Sequence, residues 1–236
     1  MTTAYLFDVD GTLTPSRQSM NGSFRIDFCE FIARHHVFLA TGSDYAKTVE
    51  QIGTTITENV KRVFNCSGND IWERGINTYT TKWKLPEIIH EWLSIQLTTS
   101  EFPVRAGLHF EHRPGTVNFS IVGRNANQEQ RAQYVDWDCT TGERDRLVSE
   151  FNNLFGRTVE ARAGGETGLD ISPVGKDKGQ IVEHLTRYDN LVFFGDRTDP
   201  QGNDFPLAQA VRERGGIVYQ VADWTETAKI IKGMLR

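Results

Sequence analysis

Cysteine is scarce, positive charge is in deficit and no long apolar run is present, and each shortage narrows what this chain can be. The three cysteines, Cys29, Cys66 and Cys139, are an odd, widely spaced set with no Cys-x-x-Cys pair. Neither a disulfide framework nor a cysteine-based zinc site is expected from them. A mean hydropathy of -0.44 and the lack of any transmembrane-length apolar window argue against a membrane span. The amino terminus passes almost at once into Tyr5-Leu6-Phe7, without the basic region, apolar stretch and small-residue cleavage site of a signal peptide. The cytoplasm is therefore the expected location. Lys and Arg number 26 against 31 Asp and Glu, a formal net charge of -5, which is a poor basis for gripping a phosphate backbone, so nucleic acid is not expected as a partner.

What is present has the texture of a soluble globular protein, 38% hydrophobic and 24% charged over 236 residues, long enough for one large domain or two small ones. Ala4 to Val9 reads as a buried strand broken by Gly11-Thr12-Leu13-Thr14-Pro15. Ser23 is placed to cap a helix through Arg34, with Phe24, Phe28 and Phe31 at near-helical spacing, and Val37 to Ala40 gives a second short strand. Thr41-Gly42-Ser43-Asp44 ends that strand and opens a helix to about Ile52, and Val63-Phe64-Asn65 reads as a third strand end. From about Thr78 to Ile171 the pattern changes to α+β. A helix over Leu85 to Leu97 precedes strands around Leu108-Phe110 and Val117-Val122, joined at Arg113-Pro114-Gly115. A second helix covers Glu143 to Phe155, with Leu147, Val148, Phe151 and Leu154 on one stripe, and a strand runs into Asp170. After Gly175 the α/β alternation resumes. The fold class is α/β: a doubly wound, Rossmann-like parallel-sheet core, residues 1–77 and 172–236, with an α+β cap, residues 78–171, inserted after the third strand.

Two carboxylates stand two residues apart in Phe7-Asp8-Val9-Asp10-Gly11-Thr12, and the period of a strand puts both on one face as it ends. Two such anions raise each other's pKa unless a cation sits with them, a reason to expect a hard divalent ion held through oxygen. Phe193-Phe194-Gly195-Asp196 repeats the design of apolar strand and then Asp, and Gly202-Asn203-Asp204 follows in the same loop. In a parallel sheet these strand ends share one crevice. Thr41 and Ser43 offer hydroxyls at another strand end, and Lys178 in Gly175-Lys176-Asp177-Lys178-Gly179 stands at a helix start, both suited to phosphate oxygens.

In this order the four segments resemble the haloacid-dehalogenase superfamily of phosphotransferases. The resemblance implies in-line attack on phosphorus by Asp8 and an aspartyl-phosphate intermediate, with Asp10 as general acid and then base. It implies Mg2+ held by Asp8, Asp196 and the backbone carbonyl of Asp10, with Asp204 behind, while Lys178 and a hydroxyl of Thr41 or Ser43 orient the transferring group.

The inserted region carries Arg113, Asn118, Arg124 and Arg131 close in sequence, and arginine forks suit phosphate and carboxylate oxygens. With F-D-V-D-G-T-L-T-P-S-R, E-H-R-P-G-T-V-N-F-S-I-V-G-R-N, Glu129-Gln130-Arg131 and F-F-G-D-R-T-D-P-Q-G-N-D, most of the chain is similar to the eukaryotic-type phosphomannomutase family. That resemblance implies sugar-phosphate binding by Arg17, Arg113, Arg124 and Arg131, contacts from Asn118 and Asp170, a hexose 1,6-bisphosphate activator and a homodimer formed through the cap. It implies interconversion of mannose 6-phosphate and mannose 1-phosphate, with a sugar-phosphate phosphatase as the alternative and a non-enzymatic sensor as a third. Two departures stand out. The family's Ser-x-Asp is Gly168-Leu169-Asp170 here, without one hydroxyl, and its second-cation loop is replaced by Ala208 to Glu213, which reads as plain helix. His109 and His112, three apart on a strand, are not expected to share a metal.

Overall fold

A computed structural model describes residues 1–200 and 202–236; Gln201, inside the motif that ends in Gly202-Asn203-Asp204, lies outside the described residues. The chain divides into two units, residues 1–81 with 175–236 and residues 82–174. The boundaries expected at 77/78 and 171/172 fall inside strands, because one strand runs to Thr80 in the first unit and another to Pro173 in the second.

The first unit is built on a seven-stranded sheet. Its parallel strands are β1 (Thr3–Phe7), β2 (His36–Ala40), β3 (Arg62–Asn65), and, beyond the insertion, β10 (Asn190–Gly195) and β11 (Ile217–Gln220). The order is β11-β10-β1-β2-β3, followed by β4 (Asp70–Glu73) and β5 (Ile76–Thr80), which pair antiparallel. The insertion thus follows an antiparallel pair and not the third strand. Helices α1 (Gly22–Arg34), α2 (Tyr45–Ile52), α3 (Thr54–Asn59), α7 (Phe205–Glu213) and α8 (Trp224–Met234), and a tight helical segment Lys178–Leu185, complete it.

Adjacent residues in the central strands serve opposite faces, as strand period requires. Phe7, Leu39 and Phe194 pack with Phe24, Phe28 and Phe31 of α1 and with Ile231 of α8. Their neighbours Leu6, Phe38 and Phe193 pack with Ile181, Leu185, Leu207 and Val211 on the other side. Phe7 stacks on Phe194 at 4.6 Å between ring centroids, so β1 and β10, far apart in sequence, are locked side by side directly beneath their carboxyl ends. Ser23 does not cap α1. Asn21 does, its Oδ1 accepting the Ser23 and Phe24 amides at 3.0 and 3.2 Å, because the amide oxygen two residues before Ser23 reaches the first free N–H groups.

The second unit holds a four-stranded antiparallel sheet, β6 (Phe110–Arg113), β7 (Thr116–Phe119), β9 (Gly168–Pro173) and β8 (Val159–Gly164), in the order β6-β7-β9-β8. Helices α4 (Glu87–Thr99), α5 (Gln128–Thr141) and α6 (Glu143–Phe155) pack with one face of it around Leu93, Phe119, Tyr134, Leu147, Phe151, Leu169 and Ile171. Leu154, expected on the buried stripe of α6, is exposed. Among the described residues no helix is long and apolar enough to cross a membrane.

Candidate active site

Parallel strands bring their carboxyl ends to one edge, and that edge holds the charge of the first unit. Phe7 is in register with Phe194 and with Leu39, so Asp8 leaves β1 beside the end of β10, its amide donating to the Phe194 carbonyl at 3.0 Å. Asp196 follows β10 by one residue, and Asp204 closes the next loop, accepting the Arg197 amide at 3.2 Å. Carboxylate oxygens of Asp8, Asp196 and Asp204 lie within 4.8 Å of one another. Gly11 makes this approach feasible: it takes φ +86°, and a Cβ there would lie 2.4 Å from Asp196 Oδ2.

Into this cluster projects Lys178, its Nζ 2.6 Å from Asp8 Oδ1 and 2.6 Å from Asp204 Oδ1. Lys178 is 1% exposed and Asp204 0%, a depth at which a charge persists only when paired. Burial raises the Asp8 carboxyl well above the usual range and the charge of Asp204 adds to it, while Lys178 opposes. Burial and then Asp204 push Asp196 up to about 6. Burial lowers Lys178, but Asp204 and Asp8 outweigh it and hold the ammonium charged far up the scale. Three carboxylates and one ammonium carry a net charge of -2 when ionised, so the donor set fits a divalent cation in charge and, being all oxygen, in hardness.

Asp10 turns away from that cluster. Its Oδ1 accepts the Arg17 amide at 2.7 Å and Gln51 Nε2 at 2.8 Å, and its Oδ2 accepts Ser43 Oγ at 3.5 Å. The two acids of the first motif are thus held in different surroundings, one against a buried lysine and one on a polar cradle. Thr41 Oγ1 accepts the Ser43 amide at 3.0 Å, and Asn65 Nδ2 holds the Ser43 carbonyl at 3.1 Å, so the hydroxyl loop is pinned from β3.

In the second unit a polar row crosses the sheet: Glu111 opposes Asn118, Asn118 opposes Asp170, and Asp170 opposes Arg162. The intervening residues Phe119, Leu169, Ile171 and Ala161 point into the apolar cluster, which leaves the row on the face without helices. Glu111 gathers two arginines, Arg113 Nη2 at 2.8 Å and Arg124 Nε at 2.5 Å. Burial works to raise Glu111, but Arg113 and then Arg124 hold it below the ordinary range. Asn118 Nδ2 donates to Asp170 Oδ1 at 2.7 Å, and its own Oδ1 is buried with no partner among the described residues. Arg131 pairs with Glu166 at 2.9 Å.

A family model described as eukaryotic phosphomannomutase matches residues 27–236. The chain belongs to the eukaryotic phosphomannomutase family. A Caenorhabditis elegans protein called probable phosphomannomutase is 30% identical across 99% of this chain and 96% of its own length. A Galdieria sulphuraria phosphomannomutase is 32% identical across 94% and 91%. The C. albicans trehalose-6-phosphate phosphatase C-terminal domain has the same fold, with TM-score 0.65 and 15% identity over 99% of this chain and 91% of that one. A haloacid dehalogenase-like hydrolase from Bacteroides thetaiotaomicron aligns over 99% and 100% with TM-score 0.62 and 14% identity.

The structure of this phosphomannomutase-family chain brings Asp8, Lys178, Asp196 and Asp204 together, with Asp10, Ser43 and Arg17 linked through Asp10. Arg17 itself is exposed, with φ +57°. Arg113, Arg124, Asn118 and Asp170 gather on or beside the polar row, and Arg131 stands with Glu166. Sequence reasoning missed Gln51, Glu111, Arg162 and Glu166. The strand spacing of Glu111 and Arg113 was a legible signal; the others meet their partners only through the fold. Gly168 has a second meaning here, since a Cβ at that position would lie 2.8 Å from both terminal atoms of Asn118. The missing serine and the packing of Asn118 onto Asp170 are therefore coupled.

Proposed function

We propose that the protein interconverts mannose 6-phosphate and mannose 1-phosphate, passing the phosphoryl group through Asp8 and using a hexose 1,6-bisphosphate as activator. The observation that carries this reading is the separation of the two motif acids, with Asp8 buried against Lys178 and Asp10 held apart on the Arg17 amide and Gln51. Asp8 attacks phosphorus as the bond to the departing sugar oxygen breaks, and Asp10 gives that oxygen its proton. In the return step Asp10 takes the proton from the free hydroxyl of a hexose monophosphate, whose oxygen attacks the phosphorus on Asp8. Asp8 is thereby freed and a hexose bisphosphate forms whose other phosphate can be transferred next. Lys178 fixes the nucleophilic carboxylate, while Thr41 and Ser43 offer hydroxyls to the transferring group. A Mg2+ ion held by Asp8, Asp196 and the Asp10 carbonyl, with Asp204 behind, would supply positive charge against the phosphoryl oxygens.

In the inserted unit Arg113, Arg124 and Arg131 take the phosphate that is not reacting, and Asn118 and Asp170 address the sugar. The exposed Ile88 and Ile95 on α4 support pairing of two copies through this unit. A phosphorus NMR time course with mannose 1-phosphate and catalytic glucose 1,6-bisphosphate tests the proposal. Mannose 6-phosphate should accumulate before inorganic phosphate. Phosphate as the main product, without dependence on the bisphosphate, would establish a phosphatase instead.

A further inference from the structure

Arg131 occupies the fourth position of α5, just inside a capping box in which Asn127 accepts the Gln130 amide and Gln130 accepts the Asn127 amide. A cation at this end of a helix opposes the macrodipole and gains nothing for helix stability. Its partner differs sharply from the one that serves Arg113 and Arg124. Glu111 is 27% exposed and ties down two guanidinium groups. Glu166 is 67% exposed, whereas the Arg131 it holds is 11% exposed, and it stands on the turn between β8 and β9, preceded by Gly164 and Gly165. Next to it, Thr167 is buried with an Oγ1 that has no partner among the described residues.

An enclosed guanidinium held by a single exposed carboxylate on a glycine turn is a weak arrangement for stability, because such pairs are screened and contribute little. It is a good arrangement for exchange. We propose that Glu166 is an internal stand-in for an anionic group of the ligand, occupying Arg131 until a phosphate displaces it. The proposal rests on the reading of Arg131 as a phosphate ligand. A dianion outcompetes a lone exposed carboxylate, and the released turn exposes Thr167 to the incoming group. Glu166 thereby sets the affinity threshold of this subsite and favours doubly charged ligands over singly charged ones.

The test is steady-state kinetics of Glu166→Gln, Arg131→Ala and the double variant on two substrates. One is mannose 1-phosphate plus catalytic glucose 1,6-bisphosphate, where one phosphate lies away from Asp8 in each transfer, and the other is 4-nitrophenyl phosphate, whose single phosphate must sit at Asp8. Removing the competing charge should lower KM for mannose 1-phosphate relative to that for the aryl phosphate by about two- to fivefold, the worth of an exposed ion pair. The gain should shrink as salt is added and vanish in the Arg131→Ala background. A KM for mannose 1-phosphate that rises or stays level in Glu166→Gln overturns the proposal and makes Glu166 an orienting group. If Arg131→Ala raises KM for mannose 1-phosphate more than for the aryl phosphate, the reading of Arg131 stands whatever Glu166 does. Equal effects on both substrates would remove that reading and the stand-in with it.

Discussion

Replacing Lys178 by Met removes the one ammonium that, among the described residues, contacts the buried acids, while keeping the length of the side chain. Lys178 gives up two hydrogen bonds of 2.6 Å, to Asp8 and Asp204, and the ionised cluster with Asp196 goes from a net charge of -2 to -3. Breaking a buried charge pair by taking away one partner costs about 3–5 kcal/mol, which for a chain of this size is a fall of about 6–20 °C in Tm. The loss should depend on pH, and the sign follows from the acids. Asp8 and Asp196 already have raised carboxyls, and without the lysine they rise further. An acid raised in the folded state favours folding where it holds its proton and loses that advantage as pH climbs through the raised value. Metal-free Lys178→Met should therefore be close to the parent protein at pH 5 and far below it at pH 8. Thermal denaturation followed by circular dichroism at both values decides this. A deficit below about 1 kcal/mol at pH 8, or the same deficit at both values, would refute the argument that Lys178 is the compensating charge. Turnover at pH 7 should fall with it, since a protonated Asp8 is no nucleophile.

Asp8→Asn should abolish turnover and leave the circular dichroism spectrum intact, since only the nucleophile and a charge change; retained activity would sink the aspartyl-phosphate mechanism. Asp10→Asn should slow poor leaving groups more than good ones, so a series of aryl phosphates should show a steeper dependence on leaving-group pKa; an unchanged slope counts against acid catalysis by Asp10. Gly11→Ala, whose Cβ would lie 2.4 Å from Asp196 Oδ2 at φ +86°, should weaken Mg2+ binding by at least about tenfold in calorimetry, given the strain of an L residue there; parent-like affinity would mean the loop yields freely. The stabilisation of the parent protein by Mg2+ should be small below pH 6 and grow above it as Asp196, pushed up to about 6, releases its proton; an effect independent of pH would place the ion elsewhere.

The sequence carried the strand-end carboxylates because apolar runs such as Ala4 to Phe7, buried but for the half-buried Tyr5, and Leu191 to Phe194 bury residues on both faces and end abruptly in acid. It concealed β5, where Ile76-Asn77-Thr78-Tyr79-Thr80 is exposed throughout, leaving no alternation to read. Helix α5 was equally hard to see as a whole, because Tyr134 is its one fully buried side chain and no apolar stripe marks it. Gln51 lies in a helix that ended as expected at Ile52, yet its partner is Asp10, 41 residues away. Arg162 meets Asp170 only through the register of β8 and β9. Motif spacing reports residues whose neighbours are local; contacts made by strand register or across a crevice have no such signature.

The strand that carries Asp8 is flanked by β2, close behind it in the chain, and by β10, which begins only at Asn190. During synthesis, the amino-terminal segment therefore emerges with one edge of β1 open and with Asp8 lacking both its ammonium and its fellow acids. Lys178, Asp196 and Asp204 all arrive after the second unit has been made. An incomplete chain exposes a strand edge suited to mispairing, and it cannot give Asp8 the paired, charge-balanced surroundings of the finished fold. The charge-balanced setting of Asp8 is thus completed only by the last quarter of the chain's own translation, and a chain released early lacks it whatever its first motif contains.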